Sequence, residues 1–272
     1  MRSCLVRAKK SLGQNFLVDP NHQRRIVGAL DPGPGDEVLE IGPGRGALTH
    51  HLVGRSRRLV LVELDDALVE DLRARWGDRP GVEIVHGDAL ELDLSALLER
   101  PAAAKVVGNI PYNITSPLLF KLLRRPRPAS ILVMVQREVA DRLLAEAGTG
   151  EYGALAVGVR SVADVERVLH VPRTAFRPVP RVDSTVVRIT PHAPARLTEA
   201  EESDLRTLVR ACFQWRRKQL QKILREHPDL ALDREALERI AERTGIVLSD
   251  RPETLSPDRL LDLSRAVVAA RA

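Results

Sequence analysis

Short runs of Val, Ile and Leu alternate with helical patterns between about residues 36 and 136 of this 272-residue chain. We predict that these runs are strands, at residues 37–41, 59–63, 82–86, 105–108 and 131–135. The runs are continuous rather than alternating in polarity, which is typical of strands buried on both faces of a parallel sheet. Helical patterns between successive strands indicate crossover helices. The sequence therefore predicts a doubly wound α/β domain.

A second, helical part is predicted after residue 192. Before it we expect a helix to about residue 145, a Gly-rich turn, and β-like stretches that end at residues 186–189. Residues 191–194, Pro-His-Ala-Pro, have the composition of a linker. Beyond them, helical patterns with Thr, Asp or Ser near their starts cover residues 198–225, 233–244 and 256–270. We therefore expect an α/β domain over residues 1–192 and a small all-helical domain over residues 193–272.

The distribution of charge favours a polyanionic partner. The chain has 42 Lys and Arg against 37 Asp and Glu, which gives a formal net charge of +5. Residues 205–225 contain cations and no acid, namely Arg206, Arg210, Arg216, Arg217, Lys218, Lys222 and Arg225. Such a cluster is typical of a nucleic-acid-binding surface, although a solvated helix face would have the same composition.

The cysteines and the apolar runs indicate the compartment. Cys4 and Cys212 are far apart and have no Cys or His neighbour at metal-ligand spacing, which argues against disulfides and a zinc site. The N-terminus lacks the apolar core of a secretory signal, and the longest apolar run is too short to cross a membrane. We expect a cytoplasmic protein that holds no metal and contacts no membrane.

A glycine turn follows the first predicted strand. Gly42, Gly44 and Gly46 have the spacing G-x-G-x-G, whereas the dinucleotide-binding motif is G-x-G-x-x-G. Ligands of open α/β sheets bind at the carboxyl ends of the strands, where this turn falls. S-adenosylmethionine has no phosphate and so does not need the phosphate-binding spacing. Glu40, two residues before Gly42, also fits a site for S-adenosylmethionine better than a site for a phosphate. The alternative is a tight strand-to-helix turn with no ligand.

Carboxylates follow the second and third strands. Glu63 ends the second strand, where a carboxylate accepts hydrogen bonds from both ribose hydroxyls of a nucleotide-like ligand. Asp88 follows the third strand and is placed to meet the adenine amine. Either residue could instead cap a helix, and Asp65 competes with Glu63 for the role of cap or ligand.

Residues 109–112, Asn-Ile-Pro-Tyr, follow the fourth strand. The exocyclic amine of a base is a poor nucleophile because its lone pair is delocalised into the ring. The Asn109 side-chain oxygen and a neighbouring carbonyl can accept both amine hydrogens and so help the nitrogen to attack a methyl group. Pro111 stiffens this loop, and Tyr112 offers a face on which a flipped base can stack. We therefore predict amine methylation at this loop.

The chain resembles the ribosomal RNA adenine N6-dimethyltransferase family, most of all its small-subunit branch, whose loss gives kasugamycin resistance. The resemblance extends from Lys9 to the end of the chain and rests on motifs at residues 11–17, 40–49, 109–112, 136–143, 152–153, 176–184, 213–218 and 251–256. It implies a class I, Rossmann-like fold dependent on S-adenosylmethionine, followed by a small all-helical RNA-binding domain.

The resemblance also implies roles for individual residues. Contacts with S-adenosylmethionine are implied for Asn15, Leu17, Gly42, Glu63, Asp88 and Asn109. Asn109 would hold the target amine, and Tyr112 and Phe176 would sandwich the adenine. Phe176 lies in a Pro-bracketed loop that suits an exposed ring, and the alternative is a core Phe beneath that loop. Contacts with RNA phosphates are implied for Arg206, Arg210, Arg216, Arg217, Lys218 and Lys222. The chemistry requires no general base, and Trp215 has no assigned role.

The expected activity is dimethylation of two adjacent adenines near the 3′ end of 16S rRNA in the assembling small ribosomal subunit, by a monomer. Methylation of 23S rRNA, as in macrolide-resistance enzymes, is one alternative. An RNA-binding assembly factor with secondary methylation is another. DNA methylation is a weaker alternative, because nothing in the sequence resembles a module that reads DNA sequence.

Phe120 and Trp76 lie in helical patterns outside these motifs, and we expect both in the core.

Overall fold

The computed structural model describes residue 9 and residues 13–111 and 114–271. The strands are β1 (Phe16–Leu17), β2 (Glu37–Ile41), β3 (Arg58–Glu63), β4 (Val82–His86), β5 (Lys105–Asn109), β6 (Ser130–Gln136), β7 (Ala163–Val171), β8 (Phe176–Arg177) and β9 (Ser184–Pro191). The helices are α1 (Pro20–Leu30), α2 (Thr49–Leu52), α3 (Asp66–Trp76), α4 (Thr115–Leu122), α5 (Arg137–Leu144), α6 (Ala154–Arg160), α7 (Glu199–Gln214), α8 (Leu220–Glu226), α9 (Arg234–Thr244) and α10 (Pro257–Arg271).

A seven-stranded sheet in the order β4-β3-β2-β5-β6-β9-β7 confirms the predicted α/β fold. The neighbouring strands from β4 to β6 are parallel, and β9 adds to β6 in the antiparallel direction. All residues of β2 are buried, as the continuous apolar run predicts, whereas the edge strand β4 is partly exposed. The strand order reverses between β2 and β5, which opens a crevice at their carboxyl ends.

The chain divides into two compact units. The first contains the residues up to Ala140 together with Val165–Pro191, and the second contains Asp141–Asp164 and the residues from His192 onward. The expected division into residues 1–192 and 193–272 stays a prediction; these compact units divide between Pro191 and His192, and the second also contains Asp141–Asp164. The segment from Asp141 to Asp164 joins the helical unit because Tyr152 is fully buried there and its hydroxyl donates to the Leu255 carbonyl at 2.8 Å.

Two helices differ from the sequence expectation. Residues 154–160, which lie among the expected β-like stretches, form α6. The single helix expected over residues 198–225 is two helices, α7 and α8, separated by residues 215–219. The break arises from distant partners, since the Leu220 and Gln221 N–H groups donate to the carbonyls of Asp250 and Leu248.

The two aromatic side chains expected in the core have different environments. Trp76 is 9% exposed and packs into the core of the first unit, as predicted. Phe120 is 41% exposed on α4, so its expected burial is wrong. Helical periodicity alone did not distinguish the two, because α4 is apolar on more than one face.

None of the described helices has both the length and the apolar composition required to cross a bilayer.

Candidate functional site

A cavity of about 210 Å³ lies at the carboxyl ends of β2, β3 and β5, where the strand order reverses. Residues 13–17 form a further wall, which brings the N-terminal segment to the site. The lining includes every residue for which a cofactor contact is expected, namely Asn15, Leu17, Gly42, Glu63, Asp88 and Asn109. The structure therefore brings six residues from five places in the sequence into one cavity.

The glycine turn between β2 and α2 is held by aromatic side chains. Gly44 and Gly46 have φ angles of 58° and 76°, in the left-handed region that favours glycine. A Cβ at Gly44 would lie 3.1 Å from the Phe16 ring, and one at Gly46 would lie 2.2 Å from the Trp76 ring. A Cβ at Gly46 therefore has no room beside the Trp76 ring, whereas a Cβ at Gly44 would need the Phe16 ring to shift by a few tenths of an ångström. The sequence did not indicate these aromatic partners.

Glu63 connects the turn to the end of β3. Its Oε2 accepts from the Gly44 N–H at 2.9 Å, and its Oε1 accepts from the N–H groups of Leu64 and Asp65. Burial raises the pKa of Glu63 above its ordinary value, although these hydrogen bonds oppose the rise. A carboxylate has about four acceptor positions, so Glu63 retains acceptor capacity toward the cavity it lines.

Glu40 is a second buried carboxyl group in the lining. It is 1% exposed, and its Oε2 accepts from the Thr49 hydroxyl at 2.7 Å. Burial raises the pKa of Glu40 to about 8, and the charge of Glu63 adds to the rise. Burial therefore disfavours the ionised forms of Glu40 and Glu63, and a bound cation beside them would lower both pKa values and favour ionisation.

Asp65 anchors the N-terminal segment. It caps α3 by accepting from the Ala67 N–H, which confirms one of the two roles considered for it. Its carboxylate also accepts from Lys9 Nζ at 2.7 Å and from Gln14 Nε2 at 2.9 Å. Burial would raise the pKa of Asp65, but these hydrogen bonds outweigh it and hold the pKa below its ordinary value. No local sequence pattern indicated the contacts with Lys9 and Gln14.

Asn109 lies at the end of β5, opposite the glycine turn. Its Nδ2 donates to the Asn15 carbonyl at 3.0 Å, which fixes the side chain and leaves Oδ1 as an acceptor. β5 approaches β2 closely here, since a Cβ at Gly108 would lie 2.7 Å from the Ile41 carbonyl oxygen. The Pro111 carbonyl accepts from the Ile114 N–H at 3.1 Å. Tyr112 lies outside the described residues.

Phe176 is not an exposed ring, so that expectation is wrong. It belongs to β8, which pairs with β1 in the antiparallel register Leu17↔Phe176, and its side chain is fully buried in the core. Pairing with a strand about 160 residues away in the sequence is invisible to a local motif. In this structure Phe176 supports Leu17, and hence the wall of the cavity.

The basic stretch divides into paired and unpaired cations. Arg210 pairs with Asp229 at 2.9 Å, Arg216 with Glu253 at 2.5 Å, and Lys222 with Glu226 at 3.5 Å. The other predicted RNA-binding cations, Arg206, Arg217 and Lys218, are exposed and have no ion pair within the described part of the chain. Among the described residues, the structure therefore leaves three of the six cations without an ion pair. No group of His, Cys, Asp and Glu among the described residues is arranged to hold a metal ion.

The chain is similar to known proteins over nearly its whole length. The family model described as ribosomal RNA adenine dimethylase matches residues 5–263. A Geobacter metallireducens protein named ribosomal RNA small subunit methyltransferase A is 45% identical, over 99% of this chain and 98% of the relative. A Methanopyrus kandleri protein named probable ribosomal RNA small subunit methyltransferase A is 41% identical, over 97% of this chain and 94% of the relative.

Solved structures are similar over nearly the whole chain. A dimethyladenosine transferase from Plasmodium falciparum superposes with a TM-score of 0.76 at 27% identity, covering 91% of this chain and 95% of that protein. The 23S rRNA methyltransferase ErmE superposes with a TM-score of 0.70 at 30% identity, covering 93% of this chain and all of that protein. Both similarities extend across the α/β and the helical units.

Proposed function

Because the chain belongs to the ribosomal RNA adenine dimethylase family, we propose that it transfers methyl groups from S-adenosylmethionine to N6 of two adjacent adenines near the 3′ end of 16S rRNA. The observation that carries the proposal is the convergence of Asn109, the glycine turn and three carboxyl groups, Glu40, Glu63 and Asp88, on one cavity. The Geobacter and Methanopyrus relatives, at 41–45% identity, are named for the small subunit, which favours that RNA over the large-subunit RNA.

The lining of the cavity fits S-adenosylmethionine. Glu40 and Glu63 present acidic groups, which suit a ligand that carries a sulfonium and an ammonium charge. Gly42 and Gly44 present backbone without Cβ atoms along one wall, where an amino-acid arm can lie close. We assign the ribose to Glu63, the adenine to Asp88, and covering contacts to Asn15 and Leu17. When bound, the cofactor supplies a methyl group activated by its sulfonium charge.

Asn109 prepares the target amine for attack. Its Oδ1 accepts one amine hydrogen, and a neighbouring carbonyl of the loop accepts the other. The nitrogen lone pair is thereby freed from the ring and directed at the methyl carbon. As the bond from nitrogen to the methyl carbon forms, the bond from that carbon to the sulfonium sulfur would break and leave a neutral thioether. The amine would then be cationic and would lose its proton to water without a general base. We propose that Tyr112 stacks on the adenine, and that a second transfer to the same nitrogen completes the dimethylated product.

The free cations supply the contacts with RNA. We propose that Arg206, Arg217 and Lys218 contact phosphates, while Arg210, Arg216 and Lys222 contribute less because each already has an acidic partner. Phosphate contacts release counterions, so affinity for the particle falls steeply as the salt concentration rises.

Mass spectrometry of nucleosides tests the proposed function. Unmethylated small-subunit particles, large-subunit particles and naked rRNAs are each incubated with the protein and labelled S-adenosylmethionine. We expect labelled N6,N6-dimethyladenosine in small-subunit RNA. Label confined to large-subunit RNA would favour methylation of 23S rRNA, the activity for which ErmE is named. The absence of label in every RNA would refute the methyltransferase hypothesis.

Asp65→Asn is expected to weaken the binding of S-adenosylmethionine roughly tenfold, the loss typical of one charge-assisted hydrogen bond. The neutral amide loses the ion pair with Lys9 and places a donor against Gln14, which releases the segment that forms one wall of the cavity. Isothermal titration calorimetry measures the affinity. Asp66→Asn is the matched control, because the Asp66 side chain is 80% exposed on the same helix. Equal affinities of the two variants would contradict the anchoring role.

A further inference from the structure

The break between α7 and α8 contains a concave site in the helical unit. A cavity of about 300 Å³ is lined by Gln214, Trp215, Arg216, Arg217, Lys218 and Lys222. The chain has only two Trp residues, so a Trp is not expected by chance beside these four cations. Trp215 is half-buried rather than packed in the core. The site therefore combines an aromatic face with positive charge, and the methyl-transfer site makes no use of it.

The backbone of this turn is fixed at both ends. The Lys218 N–H donates to the Trp215 carbonyl at 2.7 Å, and the Leu220 N–H donates to the Asp250 carbonyl at 2.8 Å. Arg216 anchors the middle of the turn, because its guanidinium pairs with Glu253 and also donates to the Gly150 carbonyl at 2.9 Å. The backbone that carries Trp215, Arg217 and Lys218 is thus held by contacts within the protein and needs no ligand to form.

The Trp215 ring is oriented by His227. The two rings meet edge to face, with centroids 5.2 Å apart and an interplanar angle of 64°. His227 is 5% exposed, its Nε2 lies 3.0 Å from Gln214 Oε1, and its Nδ1 accepts from the Asp229 N–H. These two contacts fix the position of His227, and the Gln214 side-chain oxygen is already used as the acceptor for His227 Nε2. The Gln214 amide N–H groups remain as donors beside the indole.

The charge around the ring is suited to phosphates. Arg217 and Lys218 are exposed, and no acidic residue in the described part of the chain pairs with either. Arg216 and Lys222 are each matched by one glutamate, so the net charge of the lining comes from Arg217 and Lys218. A ligand for this site requires a flat apolar surface and at least one flanking anion. An unpaired nucleotide in a single-stranded RNA has both.

We propose that this turn binds an unpaired nucleotide of the RNA substrate, with the base stacked on Trp215 and its flanking phosphates on Arg217 and Lys218. The inference rests on the proposed function for the identity of the RNA. Stacking tolerates any base, because every base has a π-face, so the contact holds a looped-out nucleotide without reading its identity. It places a second RNA contact in the helical unit, besides the adenine at Asn109.

Fluorescence quenching tests the stacking directly. A single-stranded oligoadenylate and an abasic oligomer of the same length carry the same phosphates, but only the first can stack. We expect oligoadenylate to quench the indole emission of the wild-type protein and the abasic oligomer to leave it unchanged. Trp76 is 9% exposed, so the quench reports Trp215 and disappears in W215L. Equal quenching by both oligomers would overturn the proposal.

Affinity measurements separate stacking from charge. We expect W215L to bind oligoadenylate about tenfold more weakly, within the range for one base stacked on an aromatic ring, and W215F to retain most of the affinity. K218A is expected to reduce the salt slope, whereas W215L leaves that slope unchanged. Val268→Ala, at a 43% exposed apolar position, is the control for surface change, and thermal melts check folding. Wild-type affinity in W215L would overturn the proposal.

Failure of this inference and failure of the proposed function give different results. If particles are dimethylated but W215L binds RNA like the wild type, the nucleotide site is wrong and the enzyme assignment stands. If no RNA is methylated but oligoadenylate still quenches Trp215, the enzyme assignment is wrong and the turn is a nucleotide site for another RNA.

Discussion

Asn109→Ala is expected to lower kcat/KM for adenine methylation by roughly 10²- to 10³-fold, the loss typical of removing one preorganised hydrogen-bonding group at a reacting centre. The substitution removes the oxygen that accepts an amine hydrogen, and it also removes the bond from Nδ2 to the Asn15 carbonyl. Methyl transfer to unmethylated small-subunit particles under single-turnover conditions measures the rate of the chemical step.

The binding data distinguish chemistry from folding in this variant. Affinity for the particle should be unchanged, since the proposed phosphate contacts lie in the other unit. Affinity for S-adenosylmethionine should fall much less than the rate, because the other lining residues remain. Asn21→Ala, at an exposed position on α1, controls for the loss of an Asn side chain. A rate close to wild type, or a loss of rate matched by a loss of particle binding, would contradict the assigned role.

The strand ends of this fold could be predicted because their signal is local. Each buried strand is a continuous apolar run, and the parallel order places the ends of β2, β3 and β5 side by side. Gly42, Glu63 and Asn109 were therefore expected at one edge of the sheet, and all three line the same cavity. Residues that immediately follow such a strand are the ones a sequence pattern can locate.

The remaining features depend on partners that are far away in the sequence. Phe176 is buried because β8 pairs with β1, and Asp65 binds Lys9, which is 56 residues away. The break after Gln214 reflects carbonyls at Leu248 and Asp250 rather than a Gly or Pro in the break itself. Neither periodicity nor a short motif contains information about such contacts, so the sequence alone predicted an exposed ring and an unbroken helix.

The glycine turn also depends on a partner that is distant in the sequence. A ligand that lies close to the turn explains only part of why glycine is needed there. Gly46 is buried, and the Trp76 ring beside it is held in place by the Arg75 guanidinium, which lies 4.2 Å from the ring centroid and donates to the Arg45 carbonyl. A Cβ at Gly46 would lie within 2.2 Å of that ring. The turn and α3 are therefore packed together at a point where no side chain fits.

Gly46→Ala should consequently destabilise the protein by about 2–5 kcal/mol, which combines the strain of a left-handed alanine with overpacking against Trp76. Gly54→Ala is a closely matched control, because Gly54 has a φ of 79° but nothing within 4 Å of the added Cβ. That control should cost only the strain, about 1–2 kcal/mol. Urea unfolding of the two variants isolates the packing contribution as their difference.

A double-mutant cycle then assigns the difference to the Trp76 ring. In a Trp76→Leu background the shorter side chain removes the clash, so Gly46→Ala should cost little more than Gly54→Ala does. Affinity for S-adenosylmethionine should follow the same pattern, because Gly42 and Gly44 of the same turn line the cavity. If Gly46→Ala and Gly54→Ala were equally costly in the wild-type background, the packing of Trp76 would not be what requires a glycine at position 46.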